Sequence, residues 1–341
     1  MLFTKPIISK VINFVKNKDI FDVGDNCLIA VSGGFDSTAL IDIIFKIKNL
    51  FKINSIAIAH INYNLRGQDS RDDQVFVKSL AKKYDIKLHL LDLDLNQYID
   101  SLQKKDSLEN IARTIRYDFF KKTAIENNYN KVVLAHNSND NAETVILKLI
   151  RGTVSGLKGI DYQRTLSTDN NIQIIRPLLC LSRIEIETYT EKSNLKPRLD
   201  KSNISNEYTR NRVRNNLLPL ILLENPNFLE SISQSTEVIR IEDKFLDKIA
   251  NSIIDSCLIS VKENEIVLSY KKLKKNDKEI IGRVIKNTFF RLKKDKKSFS
   301  YKHIEAIKKN IEKNIGKKLI ELPDNYFFIK DREHLIFSKS N

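Results

Sequence analysis

The residues that decide the fold are Cys27–Leu40, CLIAVSGGFDSTAL. They open as a short apolar run rich in β-formers, break at Gly33-Gly34 and continue into residues that start a helix. The stretch therefore reads as strand, tight loop and helix N-terminus. Backbone N–H groups around paired glycines and the positive end of a helix dipole attract an anion. The lysine of a GxxxxGK[ST] phosphate loop is missing, however. Alone, the stretch also fits a Gly-Gly turn followed by an Asp or Ser cap, so its neighbours must decide.

Working outward, β-like runs alternate with helical stretches from Cys27 to about Leu195. The strands are CLIAV, SIAIAHI (Ser55–Ile61), KLHLLDL (Lys87–Leu93), KVVLAH (Lys131–His136) and IQIIRPLL (Ile172–Leu179). Helices are expected at about Ser37–Leu50, Ser70–Tyr84, Ser107–Asn127, Asn141–Ile150 and Ser182–Ser193. In the third, Asp106 and Glu109 read as a capping box, with Leu108, Ile111, Ala112, Ile115 and Phe119 on one apolar face. Such alternation predicts an α/β fold with a doubly wound, parallel five-stranded sheet covered on both sides. Ligands in these sheets sit at the carboxyl ends of the strands, where the Ser32 loop falls.

After Pro219 the pattern changes. ENPNFLESISQSTEVIRIEDKFLDKIANSIIDSC enters through Asn225-Pro226 and keeps helical apolar spacing to Ile253, which predicts one long helix. A hairpin (LISVKENEIVLSY), two basic helices (about Lys278–Lys294 and Tyr301–Asn314) and short terminal strands follow. Residues 220–341 thus form a second, mostly helical domain behind residues 1–219.

With 341 residues, 41% hydrophobic and 30% charged, the chain is globular, and no apolar run approaches the roughly 20 residues that span a bilayer. The amphipathic start, MLFTKPIISKVINFVKNK, lacks the long apolar region and cleavage site of a signal peptide and reads as a first helix. The three cysteines, Cys27, Cys180 and Cys257, form no metal spacing and fit reduced thiols in the cytoplasm. A net charge of +15 suits a polyanionic partner, although a chain rich in Lys, Asn and Ile reaches such a value without one.

Three further segments carry chemistry. LAHNSNDNAET (Leu134–Thr144) leaves a strand and enters a helix, with Asp140 and Glu143 on one face near its start, suited to a metal, an amine or the helix dipole. ENIARTIRYDFF puts Arg113 and Arg116 beside an apolar helix face, within reach of a phosphate or of solvent. DKSNISNEYTRNRVRNNLLP (Asp200–Pro219) gathers Arg210, Arg212 and Arg214 with asparagines, Asn211 among them; guanidinium forks suit phosphates or a carboxylate.

SGGFDS resembles the SGGxDS loop of the N-type ATP pyrophosphatases, whose fold is adenine nucleotide alpha hydrolase-like. That resemblance implies AMP transfer to an oxygen with release of pyrophosphate. The order SGGFDS, AHINYNLRG, ARTIRYDFF, LAHNSNDNAETVILKLIRGTVSGLKGI, IRPLL and DKSNISNEYTRNRVRNNLLP is similar to the tRNA(Ile)-lysidine synthase family, and GKKLIELPDNYFFIKDREHLIF resembles the end of its helical tRNA-binding domain. The further small C-terminal domain of longer members is not expected.

The resemblance implies a two-step ligation at the wobble cytidine of tRNA(Ile) with a CAU anticodon. The oxygen on cytosine carbon 2 attacks the ATP α-phosphate, then the ε-amine of free L-lysine displaces AMP to give lysidine. It assigns Ala30, Ser32, Gly33, Gly34, Phe35, Asp36, Ser37, His60 and His136 to ATP, and Asp36 to magnesium. Asp36, Asp140 and Glu143 become catalytic, the last two facing lysine. Arg113, Arg116, Arg210, Asn211 and Arg214 contact lysine or phosphates. The implied partners are the tRNA and free lysine, with no membrane, for a monomer or homodimer.

Some positions depart from the family: paired histidines become His136-Asn137, paired aspartates Asn139-Asp140, a glutamine Asn141, and a histidine Tyr63. Two other readings keep the same loop. A tRNA thiolase needs sulfur carriage, which three scattered cysteines suit badly. An inactive RNA-binding relative has no evident use for Asp36, Asp140 and Glu143. YKKLKKNDK (Tyr270–Lys278) and RLKKDKK (Arg291–Lys297) fit contact with the RNA backbone or solvated helix ends.

Overall fold

The structure is a computed structural model that describes residues 4–101, 107–153, 157–198, 209–293, 299–312 and 318–339. Asp106 of the expected capping box, residues 200–208 of the arginine-rich segment and residues 294–297 of the second basic segment lie outside the described residues. By packing, the chain divides into two units, Met1–Glu237 and Val238–Asn341.

In chain order the first unit holds α1 (Lys5–Asn17), β1 (Asn26–Ala30), α2 (Phe35–Ile47), β2 (Ser55–Asn62), α3 (Gln68–Tyr84) and β3 (Lys87–Asp92). It continues through α4 (Leu95–Asp100), α5 (Leu108–Glu126), β4 (Lys131–Val133), α6 (Ser138–Ile150), β5 (Gln163–Ser167) and β6 (Ile172–Ile175). α7 (Arg183–Lys192), α8 (Thr209–Arg212), α9 (Leu218–Glu224) and the start of α10 (Phe228–Cys257) complete it.

The sheet order is β3-β2-β1-β4-β6-β5. The five strands expected from the sequence are present and parallel along β3-β2-β1-β4-β6. A sixth, β5, was not expected; it runs antiparallel to β6 on the edge. Its residues, QRTLS, are too polar to announce a strand, and Asn171 at φ 48° turns the chain back, a conformation asparagine tolerates.

Alternation along β1 explains why the sheet is covered on both faces. Cys27, Ile29 and Val31 pack with the apolar residues of α2 and with Val11 and Val15 of α1, whereas Leu28 packs with Ala59, Val132, Phe120 and Ala124. α2 and α5 therefore lie on opposite faces. The strand order reverses between β1 and β4, which opens a crevice at their carboxyl ends.

The division between the units falls inside α10, later than the boundary expected at Pro219. Leu218, Ile221, Leu222, Phe228, Leu229 and Ile232 pack against Ala142 and Ile146 of α6, which ties this part of the chain to the first unit. The α5 N-cap is also one residue later than expected: Ser107 accepts from the Asn110 N–H at 3.3 Å.

The second unit adds β7 (Leu258–Lys262), β8 (Glu265–Ser269), α11 (Tyr270–Leu273), α12 (Lys278–Lys293), α13 (Tyr301–Glu312), β9 (Lys318–Leu322), β10 (Tyr326–Lys330) and β11 (His334–Lys339). The expected hairpin and terminal strands join in one antiparallel sheet, β7-β8-β11-β10-β9, packed on Val284, Phe289 and Ile307. Among the described residues, no helix is long and apolar enough to cross a membrane.

Candidate active site

The loop after β1 is shaped by its own side chains. Gly33 sits at φ +98°, where a side chain would be strained. The Ser37 hydroxyl accepts from the N–H groups of Ser32 (3.1 Å) and Gly33 (3.2 Å) and donates to the Gly34 carbonyl (3.1 Å). The Thr38 hydroxyl closes onto the Gly33 carbonyl at 3.3 Å. Gly34, the α2 N-cap, has no side chain to satisfy the first-turn N–H groups, so that helix end suits an anion.

A cleft of about 410 Å³ opens in front of this loop. Ten residues singled out in the sequence line it: Ala30, Ser32, Asp36, Ser37, Arg113, Arg116, His136, Asp140, Arg210 and Arg214. Gly33, Gly34 and Phe35 shape the loop and helix start behind its wall. Asn211 follows Arg210 on α8 without lining the cleft. His60 and Glu143 are buried and do not line it either.

His60 acts as a brace. Its Nδ1 lies 2.8 Å from the Val31 carbonyl, which only accepts, so Nδ1 carries the proton. Burial lowers its pKa.

Asn137 links the two acidic motifs. Its Nδ2 donates to Asp36 Oδ1 at 2.9 Å, its Oδ1 accepts from the Asp140 N–H at 3.0 Å, and its own N–H donates to Asp140 Oδ2 at 3.0 Å. This is a reciprocal cap at the start of α6 that reaches across to α2. Asn139, where the family's other carboxylate would stand, accepts from the Arg183 N–H at 2.9 Å and so fastens α6 to the start of α7.

At the cleft wall lies a cluster of four charges, of which Glu143 alone is set behind the lining. Arg210 and Arg214 are four residues apart across α8 and a π-helical turn (Val213–Leu217). Arg210 donates to Glu143 Oε2 (3.0 Å) and Asp140 Oδ1 (3.2 Å), and Arg214 to Glu143 Oε1 (2.6 Å) and Asp140 Oδ1 (3.2 Å). Two carboxylates thus neutralise two guanidiniums while the guanidiniums stay at the cleft surface. The resemblance alone had Asp140 and Glu143 facing lysine; here the arginines stand over Glu143.

Electrostatics separates the cleft's titratable groups. Burial and then the neighbouring Asp140 push the Asp36 carboxyl up to about 6. Burial and then Arg176, Arg210, Arg113 and Arg116 hold His136 down at about 3, so it is a neutral imidazole at physiological pH. Asp36 fits a magnesium ion that arrives with phosphates, since such an ion needs only one or two carboxylates. Among the described residues, no group of three His, Cys, Asp or Glu forms a protein cage for a metal.

Sequence reasoning missed the rest of the lining. Val31, Ala59, Ile61, Leu134 and Ala135 form aliphatic strand ends, and Tyr117 and Phe120 add rings beside Tyr63, which the sequence marked only as a departure from the family. Tyr117 and Phe120 continue the Arg113–Arg116 face at helical spacing, a signal that was available. Tyr63 donates to the Ala112 carbonyl at 2.9 Å and ties the loop after β2 to α5.

Comparison with known proteins fits this geometry. Residues 4–221 match the model of the PP-loop domain family. A tRNA(Ile)-lysidine synthase of Clostridium acetobutylicum is 35% identical over 94% of this chain and 67% of its own length. Enzymes of the same name from Clostridioides difficile (31%, covering 97% and 70%) and Persephonella marina (32%, covering 97% and 69%) are similar. The chain thus spans about two thirds of the length of these relatives. Among solved structures, the U34-tRNA thiolase NcsA of Methanococcus maripaludis has a TM-score of 0.57 at 19% identity, covering 70% of this chain and 78% of its own, a likeness of fold. With a PP-loop domain closed around this cleft and such relatives along nearly its whole length, the chain belongs to the tRNA(Ile)-lysidine synthase family.

Proposed function

We propose that this chain joins free L-lysine to carbon 2 of the wobble cytidine of tRNA(Ile) with a CAU anticodon, consuming ATP and giving lysidine, AMP and pyrophosphate. The observation that carries the reading is the meeting, in one cleft, of a phosphate loop without a Walker lysine, two carboxylates (Asp36 and Asp140) and guanidiniums from two directions.

The Ser32–Ser37 loop and the α2 N-terminus hold the pyrophosphate that departs, which leaves the α-phosphate open to attack. Cytosine O2 attacks that phosphorus and the bond to pyrophosphate breaks. The lysine ε-amine then attacks carbon 2 and AMP leaves with the oxygen. Adenylation is needed because an amide-like oxygen is a poor leaving group. Asp36 would hold magnesium against the phosphates, where the ion offsets charge on the leaving group.

Arg210 and Arg214, fixed by Glu143, face the developing charge. Asp140 is the cleft carboxylate nearest in role to an amine site. Basic segments of residues 220–341 approach the RNA backbone, and the reaction belongs to the cytoplasm.

A thiolase reading is less well supported. Cys27 and Cys257 are buried, and none of the three cysteines lines the cleft.

The test is incubation with ATP, radiolabelled lysine and the tRNA. Label should enter RNA in step with pyrophosphate release, and Asp36→Ala should bind tRNA while losing that release. Pyrophosphate released without label in RNA overturns the lysine assignment. Equal turnover by Asp36→Ala overturns the role of the loop carboxylate.

A further inference from the structure

α5 turns Arg113, Arg116, Tyr117 and Phe120 into the cleft at i, i+3, i+4 and i+7, one helical face that carries two guanidiniums followed by two rings. The strand ends Ala30, Ala59, Ile61 and Leu134 pack in one cluster with Phe120 and Tyr117, so the aliphatic floor beside the phosphate loop runs on into the rings of α5. That surface and the loop suit the nucleoside and phosphates of ATP. The reaction proposed above brings a second nucleotide into the same cleft, and this one belongs to an RNA.

We infer that the α5 face is the seat of the RNA nucleotide whose base is modified, with Tyr117 as its positioning residue; the inference rests on the proposed function. The Arg113 and Arg164 guanidinium carbons lie 5.0 and 4.8 Å from the Tyr117 ring centroid. Phe120 meets the same ring edge-on at 6.3 Å and is itself buried against the sheet. The ring is therefore fixed from several sides, and the ring and the guanidiniums stacked on it together offer planar groups that receive an unstacked base with little ordering cost.

Arg113 and Arg116 stand where the flanking phosphates of that nucleotide would pass. A base in a single-stranded loop leaves its stack at small cost, so reaching a recessed seat is feasible. The two rings of this face suit a flat base better than the flexible chain of lysine, whose carboxylate only the arginines could meet.

The experiment uses the tRNA with pyrrolocytidine, a base whose fluorescence falls on stacking, at the wobble position, together with steady-state kinetics on the unlabelled tRNA. Wild type and Tyr117→Phe should quench the probe. Tyr117→Ala should bind with most of the quench lost and raise KM for tRNA on the order of tenfold while KM for ATP stays unchanged. Tyr117→Leu, which keeps bulk without a π face, gives the same reading if the alanine variant does not fold.

A rise in KM for ATP with none for tRNA overturns the inference, because the wall would then seat the adenine. Equal quenching by all variants also overturns it. If the quench follows Tyr117 but no lysine enters RNA, the seat stands and the lysine assignment falls. Normal lysine transfer with unaltered Tyr117 variants does the reverse.

Discussion

Arg214 holds Glu143 by both carboxylate oxygens, Nε donating to Oε1 at 2.6 Å and Nη2 to Oε2 at 2.9 Å. Glu143 is fully buried, and Arg214 keeps 15% of its side chain exposed. A carboxylate in that position is tolerable only because two guanidiniums satisfy it, and it in turn fixes where they meet the cleft.

Glu143→Gln is therefore expected to act first on stability. It leaves Asp140 as the one carboxylate bonding both Arg210 and Arg214 among the described residues and should cost about 3 kcal/mol, read as a lower urea midpoint at unchanged m. Pyrophosphate release should fall with it. A direct lysine contact would instead raise KM for lysine and leave the midpoint in place.

Asp36 predicts a pH effect of one sign on activity and the opposite on stability. Its carboxyl titrates at about 6 when folded, above its ordinary 3.8, so the folded chain holds more protons between these values. The ligand-free chain therefore loses stability from this group as pH rises from about 4 to 6. Pyrophosphate release should rise over pH 5 to 7, as the charge needed beside the phosphates appears. Asp36→Asn should abolish the activity limb and raise ligand-free stability at pH 7 by about 1 kcal/mol, less than the full shift because water in the cleft screens the charge.

His136 shifts the other way. Held at about 3 by burial and four arginines, it binds fewer protons than in the unfolded chain, so it adds stability as pH rises from about 3 through 6.5. Its ring resonances should show no titration above pH 5 in an NMR series, and His136→Gln should leave the acid limb of activity where Asp36 puts it. A His136 midpoint near 6.5 would contradict the neutral imidazole.

What could be read in the sequence was local. β1, the glycine loop and α2 are consecutive, and their apolar pattern and turn residues point the same way, so the strand, loop and helix start were legible before any packing was known. The cap that joins Asn137 to Asp140 is a three-residue relation, but its bond to Asp36 crosses 101 positions. The Arg214–Glu143 pair crosses 71. No periodicity encodes such pairings, so the sequence named residues that the fold gathers at one cleft while leaving open which charges face it. β5 was missed because a polar edge strand looks like loop.

The basic segments differ in the same way, and the last prediction follows from that difference. In RLKKDKK, Arg291 pairs with Asp255 at 2.6 Å and Lys293 with Asp324 at 2.5 Å, so two of its described cations are engaged within the fold. In YKKLKKNDK, Lys271, Lys274 and Lys275 are exposed. If that run meets the RNA backbone, each phosphate contact releases counterions and adds roughly 0.7 to 0.9 to the dependence of log affinity on log salt. Changing the three lysines to alanine should reduce that slope by about 2 and weaken binding to unrelated tRNAs equally, because phosphate contacts carry no sequence information. Pyrophosphate release at saturating tRNA should not change, since these residues are remote in role from the phosphate loop. An unaltered slope in a filter-binding titration would assign the run to solvent.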